Sequence, residues 1–243
     1  MSPNCDSAQA LSIAIIVPTY QEANTIAACL THLQYQSSPF ETIVADGGST
    51  DDTLASVHRF SQTSSYPLKI IECPQQGRAA QMNWAAGTTA ADILLFLHAD
   101  SFLPPRGLDR IRHALQKSDI VGGRFTICLD RHDWPYAAIA WGINLRSRLT
   151  GLFTGDMGIF IRRKTFEQLG GYPSQPLLED LELSRRMGRI GRTVFLQERA
   201  ITSSRRWQKH GPWKTVALMQ GIRAGYQLGI SPQTLAHWYR NVR

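Results

Sequence analysis

The chain has 243 residues, 43% of them hydrophobic, and a formal net charge of +7, which is enough apolar content to bury a full core and too much for a disordered chain. Cys5, Cys29, Cys73 and Cys128 are far apart and form no C-x-x-C pair, which argues against a zinc site or a disulfide framework and predicts reduced, buried thiols. The opening MSPNCDSAQA has no basic segment before its apolar run, and no apolar stretch approaches the roughly 18 residues of a membrane span; a cytoplasmic location is expected, with peripheral contact at the inner face of the membrane left open.

In chain order, SIAIIVP (12–18), ETIVAD (41–46), LKIIEC (68–73) and DILLFL (92–97) are short Ile-, Val- and Leu-rich runs. Helix-like segments at 22–35, 51–62 and 78–91 separate them, the alternation of a parallel sheet covered by helices. A helix near 106–117 and a strand near 120–127 follow. The aromatic stretch WPYAAIAWGINLRSRLTGLFTGD shows neither period and is expected to be irregular. Helical spacing returns at 179–190, 212–228 and 232–240. Glu198 is the last acidic residue, and eight Lys or Arg follow it. That basic tail could face solvent, nucleic acid, an anionic membrane or a phosphorylated ligand. No nucleic-acid-binding module accompanies it, and its aromatic residues suit helix packing equally well.

The ends of the four strands carry the polar groups, and in an open parallel sheet those ends form the ligand crevice. VPTYQEAN, after the first strand, has no glycine, so the G-x-G-x-x-G of a dinucleotide oxidoreductase is absent. Pro18, Tyr20 and Glu22 offer a stacking face and a carboxylate for a base or ribose, or else form only a turn and an acidic first helical turn. In ADGGSTDDT, helix capping accounts for Asp51 and Asp52 but not for Asp46, whose position at the strand tip suits a ribose or base. In QQGRAAQMN, Arg78 sits at a helix start, where it either meets a phosphate or base carbonyl or is solvent-exposed. The fourth strand ends on His98 and Asp100, and a carboxylate there suits a divalent cation bridging a diphosphate.

Taken together, VPTYQEAN, ADGGSTDD, GRAAQMN and LFLHAD resemble glycosyltransferase family 2 over about the first hundred residues. The resemblance implies an α/β GT-A fold, with a mostly parallel Rossmann-like nucleotide-binding sheet, a smaller acceptor-side sheet and C-terminal helices. It divides the chain into a glycosyltransferase domain at 1–210, with a nucleotide half at about 11–104 and an acceptor half at about 105–210, and a basic helical extension at 211–243. GRAAQMN with LHAD and LLEDLELSRR is most similar to the small soluble branch associated with arsenosugar biosynthesis.

The same resemblance implies an inverting hexosyltransferase-like enzyme that takes a sugar from a UDP- or GDP-type donor to a hydroxyl of a small-molecule or lipid-linked acceptor. Pro18, Tyr20, Glu22, Asp46 and Arg78 would bind the nucleotide. Asp100, with His98 where the family's D-x-D has its first aspartate, would hold Mn2+ or Mg2+; a coordinating imidazole would favour Mn2+, and the alternative for His98 is a strand-end histidine satisfied by hydrogen bonds. Asp180 of PLLEDLELSRRM takes the place of the general base, with Glu179 behind it, whereas a plain helix start explains Glu182 and Arg186 as an i, i+4 pair. Asp156 of TGDMGIFIRR would touch the donor sugar or acceptor. SSRRWQKHG resembles the R-W part of a Q-x-x-R-W motif, with Ser203 in place of Gln, so processive polymer synthesis is not expected; Arg205, Arg206 and Trp207 would face the departing diphosphate and substrate. The alternative is a non-catalytic sugar-nucleotide-binding protein with an eroded metal motif.

Overall fold

The computed structural model describes residues 10–241; Cys5 lies outside them. The four predicted strands are β1 (Ile13–Thr19), β2 (Phe40–Asp46), β3 (Leu68–Glu72) and β4 (Ile93–Phe96), connected by α1 (Ile26–Leu33), α2 (Thr53–Ser61) and α3 (Arg78–Ala86). They pair in parallel, in the order β3-β2-β1-β4. β1 is buried along its whole length because its two faces feed two cores. Ile13, Ile15 and Val17 pack with Ile26, Leu30 and Val57, whereas Ala14 and Ile16 pack with Met82 and Ala85. This double burial is why the strand reads as an unbroken apolar run.

The chain continues through β5 (Ser101–Phe102), α4 (Gly107–Ala114), β6 (Ile120–Leu129), α5 (Trp134–Thr150), β7 (Ile159–Arg162), α6 (Arg163–Gln168), α7 (Glu179–Ile190) and β8 (Arg192–Thr202). These strands extend the same sheet as β4-β7-β6-β8-β5, antiparallel except for β6 with β8. β6 fits between its neighbours only because it carries two glycines. A Cβ at Gly122 would lie 2.3 Å from the Phe160 carbonyl oxygen, and one at Gly123 would lie 2.1 Å from that of Val194.

Three findings differ from the sequence expectations. The stretch expected to be irregular contains the 17-residue helix α5. Tyr136, Ile139, Ala140 and Ser147 are buried along one side, while Trp134, Trp141 and Leu149 are exposed; apolar residues on both sides remove the amphipathic contrast that marks a helix. β8 was not foreseen, because its pairing with β6 jumps from Phe125↔Leu196 to Thr126↔Arg199. The bulge interrupts the period of two on which strand recognition rests. Finally, Cys29 is buried, but Cys73 and Cys128 are only half-buried.

The basic tail forms α8 (Arg205–His210), α9 (Pro212–Gln227) and α10 (Pro232–Asn241). Ile222, Leu235, Ala236 and Tyr239 pack against Leu177, Leu178 and Leu181 beside α7, so the apolar stripe of the tail is covered by the body around Ile222. No helix among the described residues is long and apolar enough to cross a membrane.

Candidate active site

The crevice opens where β1 and β4 part. Their ladder ends at Ile16↔Phe96, and Pro18, the next residue of β1 facing β4, has no N–H to continue it. The strand ends are held by a residue whose role the sequence did not disclose. Gln81 is buried and donates from Nε2 to the carbonyls of Thr19 at 2.7 Å and Ala45 at 2.8 Å. A Cβ at Gly47 would meet Gln81 at 2.9 Å, which explains one glycine of ADGGST. Gln81 lies within the GRAAQMN motif, the one signal by which it could have been found.

Tyr20, directly after β1, is 46% exposed. Asp46 has no accessible surface. It accepts hydrogen bonds from Thr19 Oγ1 (3.0 Å), Gly48 N (2.9 Å), Ser49 N (2.7 Å) and Ser49 Oγ (2.6 Å). Its carboxylate therefore shapes the 47–49 loop, and direct contact with a nucleotide would require that loop to open.

Glu22 Oε2 and Asp100 Oδ2 each accept from Arg205 Nη2 at 3.0 Å. Two carboxylates thus converge on one positive charge, an all-oxygen donor pair of the kind that hard divalent cations prefer. Among the described residues no three His, Cys, Asp or Glu side chains form a ready-made metal centre. His98 is turned to another partner, Arg78 Nη1, at 3.2 Å from its Nε2. Burial, together with the Arg78 and Arg206 charges, pushes its pKa down to about 3. The ring is therefore neutral, and its Nε2 accepts the Arg78 hydrogen bond.

Arg78 leads on to α7 in the second half of the chain. Its Nε lies 3.1 Å from Oε1 of Glu179, which is buried. Next in the chain, Asp180 accepts from Gly155 N at 2.6 Å through Oδ2 and from Leu181 N at 2.8 Å through Oδ1. Burial and the Glu179 charge raise its pKa from 3.8 to about 6, against the opposing pull of Arg78. Gly155 joins the two halves of the site: a Cβ there would stand 2.7 Å from His98 Nε2 and 3.6 Å from Asp180 Oδ2. Asp156 Oδ1 is buried without a hydrogen-bond partner. The expected helix-face pair also forms, with Arg186 Nε 3.0 Å from Glu182 Oε1.

The tail residues separate. Arg205 enters the crevice as described. Arg206 lies over the Tyr239 ring, 5.7 Å from its centroid, near enough to His98 to depress its pKa. Trp207 packs instead with Tyr136, Ile139 and Ala140 of α5. The structure therefore brings Glu22, Arg78, His98, Asp100, Asp180, Glu179 and Arg205 to one crevice at the strand ends, with Trp207 outside it.

A mixed sheet of this order, with polar groups at the carboxyl ends of its parallel strands and a buried acid facing them from the second half, is a GT-A glycosyltransferase architecture. The chain belongs to glycosyl transferase family 2, whose family model matches residues 14–170. It is 36% identical over 164 residues to a PGL/p-HBAD biosynthesis glycosyltransferase of Mycobacterium bovis, covering 65% of this chain and 62% of that one. It is 28% identical over 175 residues to glycosyltransferase AglE of Haloferax volcanii, covering 67% and 56%. The chain thus spans 56–62% of the length of these two relatives. Among solved structures, the mannosyltransferase PcManGT from Pyrobaculum calidifontis, in complex with GDP-Man and Mn2+, has a similar fold. Its TM-score is 0.61 at 23% identity, covering 78% of this chain and 56% of that one. Staphylococcus aureus TarS 1-349 in complex with UDP-GlcNAc also scores 0.61, at 18% identity, covering 79% and 58%.

Proposed function

We propose that this glycosyltransferase transfers a sugar from a nucleoside diphosphate donor to an acceptor hydroxyl with inversion, with Asp180 as the general base. The observation that carries the reading is the geometry of Asp180: a half-buried carboxylate beside the buried Glu179, anchored by two backbone N–H groups, whose proton affinity is raised toward the range useful near neutrality. The acceptor oxygen attacks the anomeric carbon and its proton passes to Asp180. The bond from that carbon to the diphosphate breaks on the opposite face, and its electron pair leaves with the nucleoside diphosphate.

Tyr20 would meet the nucleoside, together with the loop that Asp46 shapes. Arg78 and Arg205 would counter the diphosphate charge; both are guanidinium groups already at the crevice. Glu22 and Asp100, rather than His98, would hold a divalent cation. When bound, that ion would supply Lewis-acid stabilisation of the leaving diphosphate. PcManGT, with GDP-Man and Mn2+ bound, and TarS, with UDP-GlcNAc bound, support a nucleotide-sugar donor and a divalent ion for this chain.

The reading is tested first by titrating UDP, GDP and NADH in the presence of Mn2+. One of the diphosphates should bind in the micromolar to millimolar range and NADH should not; NADH alone binding would end the proposal. Asp100→Asn should weaken Mn2+-dependent donor binding by about tenfold or more, since a cation-held diphosphate loses a charged ligand, while His98→Ala should cost less. Equal losses in the two variants would return His98 to the metal.

We further propose that α5 meets a membrane surface. Trp134, Trp141 and Leu149 are 68–77% exposed, and Trp213 adds its ring at 5.6 Å from that of Trp134. Such aromatic groups favour the lipid interface, and the tail that brings Trp213 also brings Lys209 and Lys214 with no acid after Glu198. The protein should sediment with vesicles rich in anionic phosphatidylglycerol, and Trp141→Asp with Leu149→Asp should abolish that sedimentation. Sedimentation unaffected by the double variant would exclude α5 as the contact.

A further inference from the structure

A concavity of about 330 Å³ lies between α5, α7 and α9. Arg146, Arg185 and Arg223 line it, along with Leu152 and Leu181, and no Asp or Glu is among its lining residues. Arg185 has a neighbour to share its charge, Glu182 Oε2 at 3.6 Å, which Tyr226 also engages at 3.2 Å. Arg146 and Arg223 are different. Nε and Nη2 of Arg146 and Nε of Arg223 are buried without any hydrogen-bond partner.

Buried guanidinium donors left unmade are costly, and folded proteins satisfy nearly all such groups. These two also oppose one another. Burial and the Arg223 charge push Arg146 down to about 10, and burial lowers Arg223. Asp156 and Asp180 offset part of this charge, but neither forms an ion pair with them, and Asp156 Oδ1 itself is buried without a partner. The pocket thus holds two guanidinium groups outside any ion pair, Arg146 and Arg223, and no lining anion. A planar guanidinium fork matches phosphate or carboxylate oxygens, and two such groups favour the greater charge of a phosphate over a single carboxylate.

The place of the pocket gives this chemistry a purpose. Leu181 lines it and directly follows Asp180. Leu152 lines it and leads, three residues on, to Gly155, whose N–H holds Asp180 Oδ2. A ligand anchored at Arg146 and Arg223 would therefore present its remaining atoms beside the base. We infer that this pocket is the anchoring subsite of the acceptor, and that Arg146 and Arg223 bind a phosphate group carried by it, with Leu152 and Leu181 against the adjoining carbons. The inference rests on the glycosyl-transfer reading, in which the reacting group is a hydroxyl elsewhere on the acceptor. The phosphate serves as a handle and is not itself consumed.

Calorimetric titration of the full chain, with the donor site saturated by whichever of UDP or GDP binds, tests it with octyl phosphate, inorganic phosphate and octyl glucoside. Octyl phosphate should bind at least tenfold more tightly than the neutral glucoside. Arg146→Gln with Arg223→Gln should weaken it at least tenfold while the nucleoside diphosphate affinity stays within twofold. Relieved of two opposed buried charges, the double variant should also melt higher than wild type in phosphate-free buffer. Single Arg223→Gln serves as the milder change. Tighter binding of octyl phosphate than of inorganic phosphate identifies an organic or lipid phosphate, and equal binding identifies the charged group alone; either supports the subsite. No octyl phosphate binding, unchanged binding in both variants, or its displacement by the nucleoside diphosphate would overturn it. Failure of every nucleoside diphosphate to bind wild type would instead remove the glycosyl-transfer reading, whatever the anion titration shows.

Discussion

Asp180→Asn is expected to lower the transfer rate by about 10²–10⁴-fold, the usual contribution of a general base, with donor affinity nearly unchanged. In the proposed reaction the nucleotide would be held around Tyr20, Glu22 and Arg78, whereas Asp180 is fastened to Gly155 N and Leu181 N. The same substitution should stabilise the fold. A carboxyl whose folded pKa of about 6 stands above its ordinary 3.8 takes up a proton more readily in the native state. Its ionisation therefore costs stability as pH rises through that window, and the cost is complete above it. Removing the charge should recover about 1–3 kcal/mol at pH 7, a rise in Tm of about 3–8 °C for a chain of this size. In wild type, transfer should fall as pH drops below about 6, where the base is protonated. Initial rates, donor titration and thermal melts of both proteins check all of this. Near-wild-type transfer by Asp180→Asn would move the base to Glu179 or Asp156.

Arg78→Gln should damage both halves of the site. Its guanidinium faces Glu179 at 3.1 Å and His98 at 3.2 Å, and its charge helps hold down the Asp180 pKa. Without it, the acidic limb of the transfer profile should move to higher pH, because losing a nearby cation disfavours the carboxylate. The buried Glu179 would lose its partner. Breaking a fully buried pair costs roughly 3–5 kcal/mol; with the Arg78 side chain 40% exposed, water shares the burden and about 1–3 kcal/mol is expected. Donor affinity should drop about tenfold or more if Arg78 meets the diphosphate. A pH–rate profile identical to wild type would show that Asp180 does not sense Arg78. Preserved donor affinity would confine Arg78 to positioning Glu179 and His98.

The first half of the chain was legible because its signals are local. β1, β2 and β4 are buried on both faces and read as apolar runs, β3 at the sheet edge keeps half-buried Leu68, Ile70 and Ile71, and each ends on a cluster of turn-forming or charged residues. α7 begins and ends where the sequence placed it, at Glu179 and Ile190, because its apolar spacing repeats through Leu183 and Met187. α5 and β8 escaped for the opposite reason. In α5, the periodicity is filled in by exposed tryptophan and leucine; in β8, it is broken by a bulge.

For the candidate site, residue type and strand-end position drew attention to Glu22, Arg78 and Asp100, and the resemblance to glycosyltransferase family 2 drew it to Asp180 and Arg205. Which of them meet was decided only by the fold. His98 lies two residues from Asp100 in the chain, yet its Nε2 faces Arg78, while Asp100 shares Arg205 with Glu22. Gln81 and Gly155 have no chemistry that a sequence advertises, and they matter through a carbonyl reached at 2.7 Å and a Cβ that is absent. Arg146 and Arg223, which line one cavity from α5 and α9, carry no motif at all. Secondary structure follows from patterns that neighbouring residues share, so the order of strands and helices can be read along the chain. Distances between side chains, and the burial that raises the proton affinity of an aspartate or leaves a guanidinium nitrogen without a hydrogen bond, depend on contacts between distant segments and exist only once the sheet has brought them together.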